Sequence, residues 1–409
     1  MFAAALVIVM LKVPSGKTAA IAAAQESVLQ QLAPSESTLI ARWHNVPGFA
    51  ALIEPEAIER LKGDPLVERV DADVGGSGSD AESLPLIGGD KVHLAGYTGR
   101  GVTVAVLDTG IDESHPDFEG RIAGEACFCR NADGTGCCPN GQMTQLGPGA
   151  AADDHGHGSN VAGIIGSGGV VAPAGVAPGV SFVVVKVLDS NSRFSSTAQI
   201  VSALDWLIDN HPEVRAINMS LGTDALFPGD CDSTASFTSA FASAIDTLRG
   251  GGALTFVSSG NDASAVSMEA PACVHDAVSV GAVYDSNVGR LTFHCTDATS
   301  QADQITCFSN SDSTLDLLAP GAIITSDWLR GGTSNFYGTS QAAPHATGSA
   351  AVLASMDPSL GPDDIESLLK RTGKLIADPR NGVVTPRIDL WLAVSALLPP
   401  PPRHRAAEH

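Results

Sequence analysis

The pattern of apolar and polar positions along the chain changes near residue 75. Before it, short apolar stretches alternate with helical periodicity, which indicates a small α/β unit. The predicted strands are residues 5–11, 38–43 and 67–70, and the predicted helices are 18–32 and 54–61. Residues 75–80, GGSGSD, have the composition of a flexible linker. We therefore predict a domain boundary within this linker.

Beyond the linker, continuous apolar runs alternate with segments of helical periodicity. Runs without polar alternation are typical of strands that are covered on both faces, as in a parallel sheet. The predicted strands are residues 102–107, 182–188, 216–221, 254–257, 277–283 and 315–318, and the predicted helices are 197–210, 236–249 and 340–356. This part of the chain is predicted to be an α/β layered domain, followed by a Pro-rich tail over 399–409.

Charge and length exclude two classes of protein. The 409 residues carry 45 acidic and 23 basic side chains, a net charge of −22, and contain no basic tract. Nucleic-acid binding is therefore not expected, because it depends on clustered Lys and Arg. The longest apolar run, residues 2–11, is too short to span a bilayer. It resembles a signal-peptide core but lacks a basic start, so we interpret it as a buried strand. In a secreted protein the signal would then be missing from this sequence.

Eight cysteines bear on the cellular compartment. Four of them form a C-x-C and a C-C group, which differ from the C-x2-C pairs of zinc ribbons, so we favour disulfides over a metal site or free thiols. Proximity favours bonds from Cys127 and Cys129 to the Cys137/Cys138 pair in either combination, from Cys295 to Cys307, and from Cys231 to Cys273. Disulfide-bridged loops indicate a secreted or extracytoplasmic protein.

Four residues have the chemical types needed for nucleophilic catalysis. Asp108 ends a strand in AVLDTGID, His157 precedes a helix in HGHGSNVAG, and Ser340 begins a helix in GTSQAAPH. A serine hydroxyl becomes a good nucleophile when an imidazole takes its proton and a carboxylate orients that imidazole. Asn261, in SSGND, could stabilise an oxyanion with its amide. Taken singly, each residue also has a structural interpretation, such as a turn residue or a helix N-cap.

The chain order Asp, His, Ser is also the order in subtilisin. Together with INMSLG, the quoted motifs resemble the subtilisin-like serine peptidase family from about residue 84 to 398. The resemblance implies that Asp108 orients His157, that His157 is the general base and then the acid, that Ser340 is the nucleophile and that Asn261 holds the oxyanion. It also implies a substrate-binding strand at Ser220, Leu221 and Gly222.

The family resemblance further implies a three-layer α/β domain with a mostly parallel sheet, over residues 84–398. Trp43, VPGFAALI and LKGDPLVERVDADV resemble the inhibitory propeptide of the same family, a small α/β module. Residues 1–83 are therefore expected to be this module and its linker, cut between Gly75 and Leu84. The expected protein is a monomeric serine endopeptidase, made as an autoinhibited zymogen, that acts on polypeptides and needs no cofactor or metal for its chemistry.

Several positions depart from the family pattern. Residues 192–194, SRF, replace the usual glycines, so a distal subsite is expected to be partly filled. Glu269 aligns near the wall of the pocket for the residue before the scissile bond. We hypothesise that it favours Lys or Arg there, the alternative being that it points to solvent. Asp117 and Asp316 match calcium-binding positions of some relatives, but the loop after Gly163 lacks the Asn of the strong site, so a structural calcium stays open.

Four alternative functions can be weighed against this interpretation. The complete catalytic set argues against an inactive binding scaffold, and a peptide ligase, in which an amine intercepts the acyl-enzyme, stays open. A dinucleotide-binding site is excluded because Gly96, Gly99 and Gly101 precede the strand instead of following it. An α/β-hydrolase is excluded because Ala342 stands where the nucleophile elbow needs Gly.

Overall fold

The chain divides into two compact units, Met1–Gly76 and Ser77–His409. The computed structural model describes residues 4–13, 17–44, 46–72 and 83–398. The predicted linker over 75–80 and the predicted Pro-rich tail over 399–409 lie outside the described residues. None of the helices in the described ranges is both long and apolar enough to cross a bilayer.

The first unit is a four-stranded antiparallel sheet in the order β2-β3-β1-β4, with two helices. Its elements are β1 (Ala5–Leu11), α1 (Thr18–Leu29), β2 (Ser37–Arg42), β3 (Gly48–Ile53), α2 (Pro55–Lys62) and β4 (Val67–Ala72). Val7, Val9 and Leu11 alternate along β1 into a buried core. The apolar run at the start of the chain is thus a strand, as predicted. Strand β3 was not predicted, because its small residues after Pro47 carry little strand signal.

The second unit is built around an eleven-stranded sheet. Its elements are α3 (Ser83–Leu86), α4 (Gly89–Leu94), β5 (Thr103–Asp108), β6 (Ile122–Phe128), β7 (Thr144–Leu146), α5 (His157–Gly166), β8 (Ser181–Lys186), α6 (Thr197–Asn210), β9 (Val214–Met219), β10 (Leu226–Phe227), α7 (Ser236–Gly250), β11 (Leu254–Ser258), β12 (Met268–Glu269), β13 (Val278–Tyr284), β14 (Leu291–Thr292), β15 (Thr296–Asp297), β16 (Leu317–Trp328), β17 (Gly332–Tyr337), α8 (Thr339–Met356), α9 (Pro362–Thr372), β18 (Lys374–Ala377), β19 (Val384–Arg387) and α10 (Leu390–Leu397).

The strand order of the large sheet is β18-β19-β16-β13-β11-β9-β5-β8-β6-β7, and β17 pairs with β16. Neighbouring strands from β19 through β6 run parallel. Strands β7, β17 and β18 are antiparallel to their partners. The prediction of an α/β domain with a mostly parallel sheet is therefore confirmed.

Both faces of this sheet are covered by helices. Along β5, Val104 and Val106 belong to the core that includes residues of α5 and α8, whereas Ala105 and Leu107 belong to the core that includes residues of α6 and α7. This alternation has the period of two that a strand requires. The alternation explains why the strands appear in the sequence as unbroken apolar runs. The sheet and the helices on its two faces form three layers.

Four disulfides close loops of the second unit. They are Cys127–Cys138, Cys129–Cys137, Cys231–Cys273 and Cys295–Cys307, so all eight cysteines of the chain are paired. The prediction of disulfides is confirmed. The combination that the sequence left open is the nested one, in which the inner cysteines of the cluster bond to each other.

Removal of the Cys231–Cys273 disulfide is expected to destabilise the protein more than removal of Cys295–Cys307. The Cys231–Cys273 disulfide joins residues with a sequence separation of 42, whereas the Cys295–Cys307 disulfide joins residues with a separation of 12. In the chain-entropy model the corresponding losses are about 4 and about 3 kcal/mol. Denaturant unfolding of the two double-Ala variants, in a Ser340→Ala background that prevents autolysis, would measure both. An equal or smaller loss for the longer loop would contradict the expectation.

Candidate active site

The predicted site residues follow neighbouring strands at the same edge of the sheet. Asp108 is the last residue of β5, Ser220 follows β9, and Asn261 follows β11. These three strands are adjacent and parallel. From β5 the chain first continues to β6 and β8 on one side and then returns to β9 on the other. Ligands of open α/β sheets bind at such a switch point, outside the carboxyl ends of the strands.

Asp108 and His157 meet on the face of the sheet that α5 and α8 cover. Asp108 lies two residues after Val106 along β5, so its side chain points to the same face of the sheet as that of Val106. His157 is the first residue of α5, and its Nδ1 lies 2.7 Å from Asp108 Oδ1. The same oxygen accepts the backbone N–H of Thr109 at 2.7 Å. The carboxylate is fully buried and fixed, and Nε2 of His157 has no hydrogen-bond partner among the described residues.

Two glycines allow α5 to begin beside β5. Gly156 precedes His157 with a φ of +105°, and a Cβ there would lie 2.6 Å from the indole ring of Trp328. A Cβ on Gly158 would overlap the carbonyl oxygen of Gly110, in the loop that follows Asp108. These close approaches explain why the sequence around His157 is HGHG.

The charges around His157 favour its protonated form. Burial lowers the pKa of His157, but the Asp108 carboxylate raises it by charge and by hydrogen bonding, and Asp153 adds to this, so that the net shift is upward. Asp153 is partly buried, which by itself raises the pKa of its carboxyl group. The N–H groups of Gly156, His155 and Ser159 outweigh burial and hold that pKa below its usual value. Two carboxylates therefore stabilise a positive charge on His157.

Ser340 is the second residue of α8. Residues 339–354 are otherwise buried, and Ser340 alone among them reaches the surface. Its Oγ lies 3.4 Å from the carbonyl oxygen of Ser220, and the Ser220 hydroxyl donates to the Ser340 carbonyl oxygen at 2.7 Å. Gln341 Nε2 donates to Asn160 Oδ1 at 3.3 Å, which joins the first turns of α8 and α5. In the described structure the Ser340 hydroxyl is hydrogen-bonded to Ser220 and not to His157.

Asn261 is held against the first turn of α8. Its Oδ1 accepts the backbone N–H of Thr339 at 2.9 Å and the Thr339 hydroxyl at 3.1 Å. Because the carbonyl end of the amide is occupied, the Nδ2 end is left over as a donor. Neither this group nor the backbone N–H of Ser340 has a partner among the described residues, as expected for the first N–H groups of a helix. Together they are two donors beside one serine hydroxyl.

The predicted substrate strand lies beside a cleft. A cavity of about 330 Å³ is lined on one side by the segment containing Ser220, Leu221 and Gly222 and on the other by Arg193 and Phe194. The side chains of residues 192–194 thus form a wall of this cavity, and space for a ligand remains beside them.

Two supporting residues, Asp153 and Lys186, were not identified from the sequence. Besides binding N–H groups around His157, Asp153 accepts the Thr109 hydroxyl at 2.8 Å. Lys186, at the end of β8, is buried and donates to the Thr109 carbonyl oxygen at 2.8 Å and to Asp154 at 2.7 Å. The available signal was the doublet Asp153-Asp154 before HGHG and a lysine that ends an apolar strand.

The two carboxylates that match calcium positions already have partners. Asp117 accepts backbone N–H groups of Val170, Val171 and Ala172. Asp316 accepts the N–H and hydroxyl of Ser279, both at 2.8 Å, and the Lys370 ammonium at 2.7 Å. N–H donors and an ammonium thus occupy the oxygens that a cation would need, and these two positions do not fit a calcium ion.

A buried cluster of His115, Asp117 and Asp327 is the one group with metal-like spacing in the described part of the chain. His115 uses Nε2 to donate to the Gly332 carbonyl oxygen at 3.0 Å and Nδ1 to accept the Asp117 N–H at 3.2 Å. The oxygens of Asp327 have no hydrogen bond of good geometry among the described residues, and they face Asp117 and, at 3.5 Å, His115 Nε2. Burial and the neighbouring Asp117 raise the pKa of Asp327 to about 9, so that a proton neutralises it. One such acid does not make a metal site.

Comparisons with known proteins identify the family. The model of the subtilase family, Peptidase_S8, matches residues 99–385. The chain therefore belongs to the subtilase family and is a serine-type endopeptidase that acts on polypeptides.

Individual relatives agree with this assignment. An extracellular serine proteinase of Thermus sp. (strain Rt41A) is 33% identical over 338 residues, which cover 79% of this chain and 70% of that protein. Subtilisin E of Bacillus subtilis (strain 168) is 33% identical over 342 residues, 81% of this chain and 77% of that protein. The crystal structure of a cold-adapted subtilisin-like serine proteinase superposes with a TM-score of 0.53 and 29% identity, over 71% of this chain and 89% of that one.

Proposed function

We propose that Asp108, His157 and Ser340 form the catalytic triad of this endopeptidase, with Asn261 as an oxyanion donor. The observation that carries the proposal is the buried 2.7 Å contact between His157 Nδ1 and Asp108 Oδ1, at the sheet edge where α8 presents Ser340. This contact fixes the imidazole tautomer with the proton on Nδ1 and leaves Nε2 free as a base.

The arrangement accounts for both halves of an acyl-transfer cycle. Ser340 Oγ leaves its 3.4 Å contact with the Ser220 carbonyl oxygen, gives its proton to His157 Nε2 and attacks the scissile carbonyl. Asn261 Nδ2 and the Ser340 N–H stabilise the oxyanion. His157 then protonates the departing amine, and it later activates the water that hydrolyses the acyl-enzyme.

The substrate main chain is proposed to pair with Ser220, Leu221 and Gly222. An extended peptide that adds as a strand is bound through main-chain hydrogen bonds, and its side chains enter pockets on alternate sides. Because Ser220 is held to Ser340 by two hydrogen bonds, this pairing brings one peptide carbonyl next to the nucleophile.

The first unit is proposed to be an inhibitory propeptide, cut between Gly75 and Leu84. Two observations support this proposal: its motifs resemble those of the family's propeptide, and its fold of four antiparallel strands with two helices is a small α/β module.

Secretion is proposed from the four disulfides, which persist in oxidising compartments. We further propose a monomer whose chemistry needs no metal, since the partners of Asp117 and Asp316 are protein groups.

Hydrolysis can be separated from peptide joining by the products. In water enriched in ¹⁸O, with a second peptide offered as an amine nucleophile, the proposed enzyme gives cleaved products that carry ¹⁸O in the new carboxylate. Mass spectrometry that finds mainly joined peptides without the label would favour the ligase and contradict the proposal.

The pH dependence of the reaction is expected to report His157. The base must be neutral to accept a proton. Therefore kcat/KM has its full value above the pKa of His157 and decreases as the pH falls through this pKa. Because Asp108 and Asp153 raise this pKa despite burial, the acid limb is expected above the ordinary value of about 6.5. His275→Gln, an exposed histidine, serves as the control and should leave the limb in place. A limb below 6.5, or one that the control moves, would argue against His157 as the base.

A further inference from the structure

A carboxyl group fills the gap between the substrate strand and the loop that carries Asn261. Glu269, at the end of β12, lies between Gly222 and Gly260. A Cβ on Gly222 would overlap Glu269 Oε2, and a Cβ on Gly260 would lie 2.7 Å from both Cδ and Oε1. Glu269 therefore does not point to solvent, and the two glycines are the walls between which its carboxyl group sits.

The position of this gap relates it to the reacting bond. Gly222 lies two residues after Ser220, whose carbonyl oxygen is 3.4 Å from Ser340 Oγ, and Gly260 immediately precedes Asn261. Two residues of extended chain span at most about 7 Å. On the proposed function, a substrate paired with 220–222 directs the side chain that precedes its scissile bond towards the mouth of this gap, and Glu269 is the group that this side chain meets.

A second acid lies against the first. The Asp262 carboxyl group faces that of Glu269. Asn310 Nδ2 and Glu269 Oε1 both lie within 3 Å of the Cβ position of Gly260, so the two acids share this corner of the loop. Asp262 is oriented by Asn310, whose Nδ2 donates to its Oδ2 at 2.9 Å. Two neighbouring carboxyl groups repel each other when both are ionised, so such a site favours a bound proton or a bound cation.

The remaining charged groups near the gap do not neutralise this pair. Asp224 adds negative charge near Glu269. Asp224 is itself paired with Arg193 at 2.9 Å, and both side chains are largely exposed. Within the described residues neither Asp262 nor Glu269 forms a salt bridge. The gap thus offers two acidic side chains that no cation of the described residues pairs with.

We propose that the Asp262–Glu269 pair is the receptor for a basic side chain, Lys or Arg, immediately before the scissile bond. The ammonium or guanidinium group takes the place of the proton that Glu269 holds, this proton leaves to solvent, and the cation forms charge-assisted hydrogen bonds to the carboxylates. An apolar side chain of the same length meets a desolvated carboxyl group and gains no such bonds. The proposal makes Glu269 the main determinant of selectivity at this subsite.

The preference for a basic residue should grow with pH. Burial, together with the hydrogen bond and charge of Asp262, raises the pKa of Glu269 to about 8. Below this pH the cation must displace a bound proton, whereas above it the pair already carries the extra negative charge. The ratio of kcat/KM for a Lys peptide to that for its norleucine analogue is therefore expected to rise between pH 7 and 9.

The test uses the matured enzyme and peptides that differ only before the scissile bond, with Lys, Arg, norleucine or Leu at that position. Norleucine has the four-carbon side chain of Lys without its ammonium group. At pH 8.5 we expect Lys and Arg to exceed norleucine by at least about tenfold in kcat/KM, as charge-assisted hydrogen bonds in a buried pocket allow. In Glu269→Gln this ratio should fall by about tenfold, while the norleucine rate changes by less than about threefold.

Two further variants keep the outcome decisive. Asp262→Asn changes an exposed side chain and should lower the same ratio even if Glu269→Gln does not fold. Asp246→Asn, on the exposed side of α7, should leave it unchanged. Equal rates for Lys and norleucine in the unaltered enzyme, or an unchanged ratio in Glu269→Gln and Asp262→Asn, would overturn the proposal. Failure to cleave any of the peptides would instead count against the proposed catalytic function.

Discussion

Replacement of Ser340 by Ala is expected to lower kcat by about 10⁶-fold and to leave the first unit attached to the second. A triad acts as a unit, so loss of the nucleophile removes nearly all of its contribution and leaves only oxyanion stabilisation and substrate binding. If the first unit is removed by the enzyme itself, the same variant should stay uncut between Gly75 and Leu84. Progress curves on a chromogenic peptide and N-terminal sequencing of the purified chain measure the two effects.

A matched control and the opposing outcome are available for this variant. Ser239→Ala changes an exposed serine on α7 and should mature and hydrolyse peptides as the unaltered protein does. Maturation of the Ser340→Ala protein without any added protease would show that another residue is the nucleophile, or that the cut does not depend on this site.

Replacement of Asp108 by Asn should lower kcat by about 10⁴-fold while the fold is kept. The carboxylate now accepts from His157 Nδ1 at 2.7 Å and from the Thr109 N–H with the same oxygen. An amide in its place loses the negative charge and carries an NH2 group that can donate to His157 Nδ1. The imidazole is then no longer held in the tautomer that leaves Nε2 as a base, and its protonated form loses its counter-ion.

The same substitution should move the acid limb of the pH profile downward, because Asp108 is the main group that raises the pKa of His157 against burial. Asp112→Asn is the matched control. Asp112 lies in the loop that follows β5 and accepts hydrogen bonds from Ser114 and Gly331. Among the described residues it forms no hydrogen bond with His157. It should retain at least about a tenth of the activity, since a surface loop contact contributes little. Similar losses in both variants would mean that the effect is structural.

The sequence was informative wherever a local pattern decides the structure. Helix α6 begins and ends at the predicted residues, and helix α8 begins one residue before its predicted start. The apolar run of β5 predicted a strand covered on both faces. Because side chains alternate along a strand, Asp108 then lies on the side of α5 and α8, as Val106 does. Strand β16 was predicted only over 315–318. Its polar second half, with Thr325 and Asp327, is a strand because it pairs with β17.

The remaining features depend on contacts between residues that are distant in the sequence. The buried Lys186 meets the loop after β5 only once β5 and β8 are paired. The nested pairing of the four clustered cysteines depends on the path of the loop that joins them. The gap that Glu269 fills is formed by Gly222 and Gly260, which belong to different loops. No local pattern contains these distances, so the alignment of Glu269 with a pocket wall left its orientation undecided.

The central claim, that Ser340 is a nucleophile activated by His157, is tested most directly by labelling the matured enzyme with a fluorophosphonate and mapping the modified peptide by mass spectrometry. The account predicts one label per molecule, on Ser340, formed more slowly as the pH falls through the acid limb, and absent from the Ser340→Ala protein. A label on another residue, or no label on a preparation that hydrolyses peptides, would contradict it.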